Sequence, residues 1–273
     1  MVNTTANRKV IVSIVGVVLL GFGVQGLGCS NAVDIPDPNL RARVAEALGK
    51  SSGAPITKAE MATLIELDAG EASITNLTGL EFATNLRHLY LFGNALSDIS
   101  ALSGLTSLTH LYLFNNALSD ISALSRLTNL NGLDLGDNRI SDISALSGLT
   151  NLTSLMLGRN TVTDISPLSR LTNLRSLGLW ENKISDISVL SGLTKMSRLW
   201  LRANAITDIS VLAGLTKLTA LDLAENAITD LSFLVENTGV DSGDTVRLRD
   251  NPLSAASIQH IQTLQRRGVN VRR

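Results

Sequence analysis

The groups that could do covalent or metal chemistry are few and regularly placed. The chain has one cysteine, Cys29, and three histidines, His88, His110 and His260. His88 and His110 lie 22 residues apart, and Asp98, Asp120, Asp142, Asp164, Asp186, Asp208 and Asp230 repeat at the same interval, each followed by Ile or Leu and then Ser. Stacked carboxylates could collect a cation, but an Asp directly before a helical turn more often accepts backbone N–H groups, and capping is the expected role. The two stacked histidines are expected to be contact residues rather than a metal pair. There is no glycine-rich phosphate loop and no nucleophile elbow, so an enzyme is not expected, nor any cofactor or metal. A lone cysteine builds neither an internal disulfide nor a thiolate metal site.

What positions these groups is one unit, copied. Leu108 to Leu127, LTHLYLFNNALSDISALSRL, reads LxxLxLxxNxLxxIxxLxxL, and its Asn recurs at 94, 116, 138, 160, 182, 204 and 226. So strict a period means a stacked array. Leu111 and Leu113 point to one face of a short strand, while Tyr112 and Phe114 point to the other. Asn116 sits where the chain leaves the strand and can bond backbone of its own and the adjacent turn. Leu118, Ile121, Leu124 and Leu127, spaced by three, suit a 3₁₀-like return over the outside of the coil. Stacking buries the leucines in one column and lines up nine parallel strands, about 4.8 Å apart, over roughly 40 Å.

The strand residues facing away from the leucines form three columns. The first runs from Glu66 through His88, His110, Gly132, Ser154, Ser176 and Arg198 to Ala220; the second from Asp68 through Tyr90, Tyr112, Asp134, Met156, Gly178 and Trp200 to Asp222; the third from Gly70 through Phe92, Phe114, Gly136, Gly158, Trp180 and Arg202 to Ala224. Both tyrosines, both tryptophans and two of the five phenylalanines fall there, on the face that the leucine column does not need. Exposed aromatics with Arg and His are what binding hot spots are made of. Two contact patches are expected: His88, Tyr90, Phe92, His110, Tyr112 and Phe114, then Trp180, Arg198, Trp200 and Arg202, with a flatter glycine-lined stretch between. Residues 88–109 and 110–131 agree at 18 of 22 positions, so duplication alone could account for the first patch; it does not account for the tryptophans, which neighbouring repeats lack.

Both ends differ from the array. Arg8 and Lys9, the apolar run Val10 to Val24 and the small-residue exit at Gly28-Cys29-Ser30 make residues 1–29 a secretory signal. Three outcomes are open: lipidation of Cys29, cleavage near Ala32, or retention as a marginal membrane anchor. Residues 30–63 read as a linker and helical cap, with Asp37 as N-cap, Pro38 at the first helical position, and a capping box from Thr57 to Glu60. The repeat array spans 64–237, its first unit having Ala72 for Asn. A C-terminal cap, 238–273, holds a last strand ending at Asn251, a helix from Ser254 carrying Ile258, Ile261 and Leu264, a stop at Gly268, and a candidate edge strand at Val269 to Val271. Formal net charge is -1, which gives no nucleic-acid footprint.

The frame in LTNLTSLMLGRNTVTDISPLSRL resembles the bacterial, internalin-type leucine-rich repeat and is similar also to repeats of the eukaryotic phosphatase-regulator class. The flanks IPDPNLRARVAEALGKSSGAPITKAEM and LVENTGVDSGDTVRLRDNPLSAASIQHIQTLQRRGVNV resemble the caps of bacterial extracytoplasmic repeat proteins, so the likeness covers residues 34–273. Gly28-Cys29 resembles the end of a bacterial lipoprotein signal, departing from it at Gly26, where that motif usually has Leu. The resemblance implies an α/β repeat solenoid: a right-handed leucine-rich-repeat horseshoe with the parallel sheet on its concave face, 3₁₀ or irregular segments on its convex face, and helical caps. It also implies an extracytoplasmic recognition or adhesion module, secreted or attached to the cell envelope, an outer-membrane lipoprotein being one form of attachment. The expected ligand is a protein on the concave face. A glycan-binding adhesin and a passive envelope scaffold are the alternatives.

Overall fold

A computed structural model describes residues 31–273. The signal-like segment 1–29, with Cys29, lies outside the described residues, and so does the anchor reading of Val10 to Val24.

Among the described residues ten strands form a single sheet, each parallel to the next in chain order. They are β1 (Glu66–Asp68), β2 (His88–Tyr90), β3 (His110–Tyr112), β4 (Gly132–Asp134), β5 (Ser154–Met156), β6 (Ser176–Gly178), β7 (Arg198–Trp200), β8 (Ala220–Asp222), β9 (Thr245–Arg247) and β10 (Asn270–Arg272). Nine belong to the stack, and the tail supplies the tenth at the edge. Register steps by one repeat, so Leu111 sits between Leu89 and Leu133. Each strand is only three residues long, so the third outward column falls just beyond it; the ladder still continues there, as where the Glu71 N–H donates to the Phe92 carbonyl.

The leucines face inward as the alternation requires: Leu89, Leu91, Leu111, Leu113, Leu155 and Leu157 have no exposed surface. The three-residue spacing on the convex side gives short 3₁₀ turns such as Ser122–Arg126 and Ser166–Arg170, whose i, i+3 geometry sends Ile121, Leu124 and Leu127 into the same column. Each aspartate of the repeating set accepts the N–H that opens the convex segment, a 3₁₀ turn in six coils and a short α-helix after Asp230. Asp98 Oδ1 accepts the Ser100 N–H, and Asp120, Asp142, Asp164, Asp186, Asp208 and Asp230 repeat the bond with the serine two residues on, each at 2.8 or 2.9 Å.

The asparagines tie coil to coil. Asn160 Nδ2 donates to the carbonyls of Leu157 in its own coil and Leu135 in the preceding one, both at 3.0 Å, while its Oδ1 accepts the Ile140 N–H at 2.9 Å. The same bridge recurs from Asn94 to Asn251. Ala72 can replace Asn in the first coil because no strand precedes it. The residue before each asparagine is left-handed, φ lying near 55° at Asn115, Asp137, Arg159, Glu181, Ala203, Glu225 and Asp250.

At the N-terminal end, helix α1 (Pro38–Ala47) is capped by Asp37, whose Oδ1 accepts the N–H groups of Asn39 and Leu40. Its Oδ2 accepts those of Thr75 and Asn76 in the first coil, so one buried carboxylate staples the cap to the array. Burial would raise its pKa, but the backbone donors of Thr75, Leu40, Asn76 and Asn39 outweigh it and hold the carboxyl below its usual range. Asp37→Ala is expected to cost about 2 kcal/mol in urea unfolding, the upper range for a helix cap, because it strands donors in two elements. Helix α2 (Lys58–Met61) carries the full capping box between Thr57 and Glu60.

At the other end, the last coil closes with α3 (Ser232–Glu236) in place of a 3₁₀ turn. Gly239 then passes so close to the backbone that a Cβ would lie 1.8 Å from the Thr216 carbonyl oxygen. Helix α4 (Ala255–Arg266) is capped by Ser254 as expected, but its buried stripe is Ser257, Ile261 and Leu264, and Ile258 is exposed. The reason is polar: the Ser257 hydroxyl donates to the Thr229 carbonyl and accepts the Leu231 N–H, which fixes the helix's rotation. Arg267 reaches across to the carbonyls of Val235 and Asn237 at the end of α3.

Candidate functional site

All ten expected contact residues lie on the face of the sheet opposite the leucines, and they fall into two arrangements. In the first, copies one strand apart stack. Tyr90 on Tyr112 and Phe92 on Phe114 are parallel with ring centroids 5.0 Å apart, while His88 and His110 meet edge to face at the same distance. Burial, and then the neighbouring His88, push the His110 pKa down, which keeps it a neutral donor and acceptor at pH 7. Phe92 lies over Gly70 and His110 over Gly132, where a Cβ would meet the ring at 2.6 and 2.8 Å. Phe92 and His110 therefore lie down on glycine backbone, and the rings of the patch keep part of their surface exposed. Phe114, at the end of its column, is the most open of them.

The second arrangement is a recess of about 390 Å³ between Trp180 and Trp200, lined also by Met156, Arg159, Glu181, Arg202 and Asp222. Trp180 lies across Gly158 and Gly178, where a Cβ would come within 2.1 and 2.3 Å of the indole. It thus spreads over the stretch expected to be bare glycine and forms one wall of a second recess, of about 300 Å³, with Phe114, Asp134, Gly136 and Gly158. The two patches are joined through Trp180. Burial raises the pKa of Asp134 at this junction, against the opposing pull of the Gly136 N–H. The arginines are less free than the sequence implies: Arg202 holds Glu225 with two hydrogen bonds of 3.0 and 3.2 Å, and Arg198 Nε donates to Ser176 Oγ.

Sequence reasoning missed a fourth column. The left-handed residues before the asparagines project along one rim, where Arg159 pairs with Glu181 at 3.0 Å and with Asp137 at 3.7 Å, and Glu225 takes Arg249 as well as Arg202. The signal was present: Asp137, Arg159 and Glu181 alternate in sign at the 22-residue interval. The last strands also add Arg247, Arg249 and Arg272 to the face, beyond the break in the repeat.

The Leucine Rich repeats (2 copies) family matches residues 84–126, 128–170, 172–214 and 197–236. No curated protein matches in a search by sequence. Among solved structures, internalin C2 of Listeria monocytogenes is 33% identical, with 84% of this chain and 100% of that chain covered at a TM-score of 0.75. The functional domain of InlJ from the same species is 27% identical at a TM-score of 0.57, over 80% of this chain and 56% of that one. An LRR protein of Leptospira interrogans shares the fold at 23% identity and a TM-score of 0.59, over 78% and 62% of the two chains. A 22-residue frame, a single parallel sheet over a leucine column, and these matches together make the chain a member of the leucine-rich repeat family, with repeats of the bacterial internalin type.

Proposed function

We propose that this chain is an extracytoplasmic recognition module that binds a protein partner through the open, concave face of its sheet. The observation carrying this reading is the placement of six of the nine aromatic side chains on that face, each still partly exposed, with Phe92 and Trp180 seated on glycine backbone and the tyrosine and phenylalanine pairs stacked on each other. A core needs none of them there. Large, rigid rings flanked by arginines supply contact area at low entropic cost, which is the character of interface hot spots. Trp200, which walls the recess and is not a product of repeat copying, is the anchor. Trp200→Ala is expected to weaken partner binding by at least about 1 kcal/mol, roughly fivefold in Kd, with an unchanged melting temperature. Unchanged affinity in surface plasmon resonance would remove this face as the site, and hits on a glycan array without any protein ligand would favour the adhesin reading.

Attachment to the envelope through Cys29 belongs to the same proposal. Asn31 to Val33 are bonded to the segment Ile56 to Lys58: the Val33 N–H donates to the Ile56 carbonyl, the Lys58 N–H donates to the Asn31 carbonyl, and Ala32 bridges Thr57. Processing at Cys29 leaves this pairing whole, whereas cleavage after Ala32 would cut into it. A mature N-terminus at Cys29 carrying acyl mass in intact-protein mass spectrometry is the expected result.

A further inference from the structure

The outward columns are electrically lopsided. β1 presents Glu66 and Asp68 with Glu71 on the rim, and the middle strands carry Asp134 on the face with Asp137 and Glu181 on the rim beside Arg159. Strands β7 to β10 and the residues just beyond them present Arg198, Arg202, Arg247, Arg249 and Arg272 against Asp222 on the face and Glu225 and Asp250 on the rim, five cations to three acids in a chain whose formal net charge is -1. Register sets Arg247 between Asp222 and Arg272 on adjacent strands, about 4.8 Å apart at each step. The side chains are held, not splayed. Asp222 pairs with Arg247 at 3.1 Å, and Glu225 sits between Arg202 and Arg249 at 2.9 and 2.8 Å. Among the described residues Arg272 has no carboxylate in ion-pair range. Around the small floor of Ala224 these guanidinium groups enclose a recess of about 260 Å³. An arginine on the edge strand β10 would serve to discourage sheet-to-sheet association. That accounts for Arg272, but not for Arg202, Arg247 and Arg249, which stand inward of the edge.

We propose that this arginine recess is an anion subsite for the carboxylates of an acidic segment of the protein partner, set beside the tryptophan recess that takes an apolar side chain of the same segment. The proposal rests on the protein-binding reading above. Two features select a peptide. The arginine and tryptophan recesses share Arg202 and Asp222, so a carboxylate and an apolar anchor a residue or two apart in one chain reach both. The arginines are partly offset by Asp222, Glu225 and Asp250, which suits one or two carboxylates presented to preset guanidinium forks better than a dense run of sulfates. The acidic β1 end repels the same segment, so the partner is oriented along the sheet.

The chain's two tryptophans both wall the adjoining recess, so intrinsic emission reports occupancy directly. The probe is a synthetic peptide with glutamates flanking a single phenylalanine; its lysine-substituted counterpart and a heparin fragment are the comparison arms. We expect a saturable emission change with the glutamate peptide, no response to the lysine peptide, and a midpoint raised at least tenfold by combining Arg249→Ala with Arg272→Ala. Arg272→Ala alone breaks no ion pair and should raise the midpoint severalfold with an unaltered circular-dichroism melt, which separates lost binding from lost folding. No saturable response to the glutamate peptide, equal midpoints in the variants, or an arginine-dependent response to heparin alone would each overturn the assignment. If the peptide is silent while partner binding still depends on Trp200, the anion subsite fails and the protein-binding reading stands.

Discussion

Leu155→Ala is expected to lower the unfolding free energy by about 2–5 kcal/mol, as read by circular dichroism in urea. Leu155 has no exposed surface and sits in register between Leu133 and Leu177 at the middle of the stack. The cavity cannot close easily, because the flanking strands are spaced by ladder bonds such as Leu135 N–H to Met156 carbonyl and Leu157 N–H to Gly178 carbonyl. That places the loss in the upper half of the range. The position has a second consequence. Each coil of a solenoid contacts only its neighbours, so a weak central coil separates two stacks that otherwise unfold together. The urea transition should therefore broaden and its m-value fall as the midpoint moves. A midpoint equal to that of the parent protein would contradict a shared leucine interior. Trp200→Ala, on the opposite face, should leave both quantities unchanged, and this contrast separates residues that hold the array from residues that present it.

The interior was legible because it follows from periodicity. Alternation within a three-residue strand, then leucine or isoleucine every third residue, leaves one arrangement that hides all of them, and the structure has it. The caps were readable for local reasons, since Asp37, Thr57 with Glu60, Ser254 and Gly268 act within a turn of where they stand. What stayed hidden depends on contacts between coils. That Asp37 also staples Thr75 and Asn76, or that Ser257 rather than Ile258 turns inward, is set by partners almost thirty or more residues away. The left-handed position is an intermediate case. Gly93, Asn115 and Asp137, residue types that tolerate positive φ, mark it in three successive coils, but Arg159, Glu181 and Ala203 obscure the mark because the stack holds them there regardless. On the site, the columns identified the aromatic residues yet not their pose. A side chain as long as that of Trp180 crosses to the next strand and uses Gly158 and Gly178 as its bed, so glycines that read as a gap are part of the surface. The arginines of β9 and β10 follow the insertion at 238–244, where the frame that numbers the columns no longer applies.

Asn160→Asp is the sharpest test of the asparagine bridge, because it keeps shape while replacing the amide donors with a titratable acid. The Asn160 amide nitrogen donates to the carbonyls of Leu135, Leu157 and Gly158, and its oxygen accepts the Ile140 N–H. An aspartate retains the acceptor but turns an oxygen toward three carbonyl oxygens, within a site where the residue is 8% exposed. With only the Ile140 N–H donating to it, the ionised form is a poorly compensated buried charge, expected to cost roughly 3–5 kcal/mol at pH 7. Desolvation and the facing carbonyls raise the folded-state pKa of this carboxyl above its unfolded value of about 3.9. The folded protein then holds its proton where the unfolded chain has lost it, so stability falls as pH rises through that window and is regained below about pH 4. The single proton of the neutral acid serves one carbonyl, which leaves part of the loss in place even there. Urea midpoints measured from pH 3 to pH 7, referred to those of the parent protein at each pH, should therefore show a deficit that widens with pH. A pH-independent deficit would mean that the site opens to water on substitution, and no deficit would mean that the coils do not depend on these bridges.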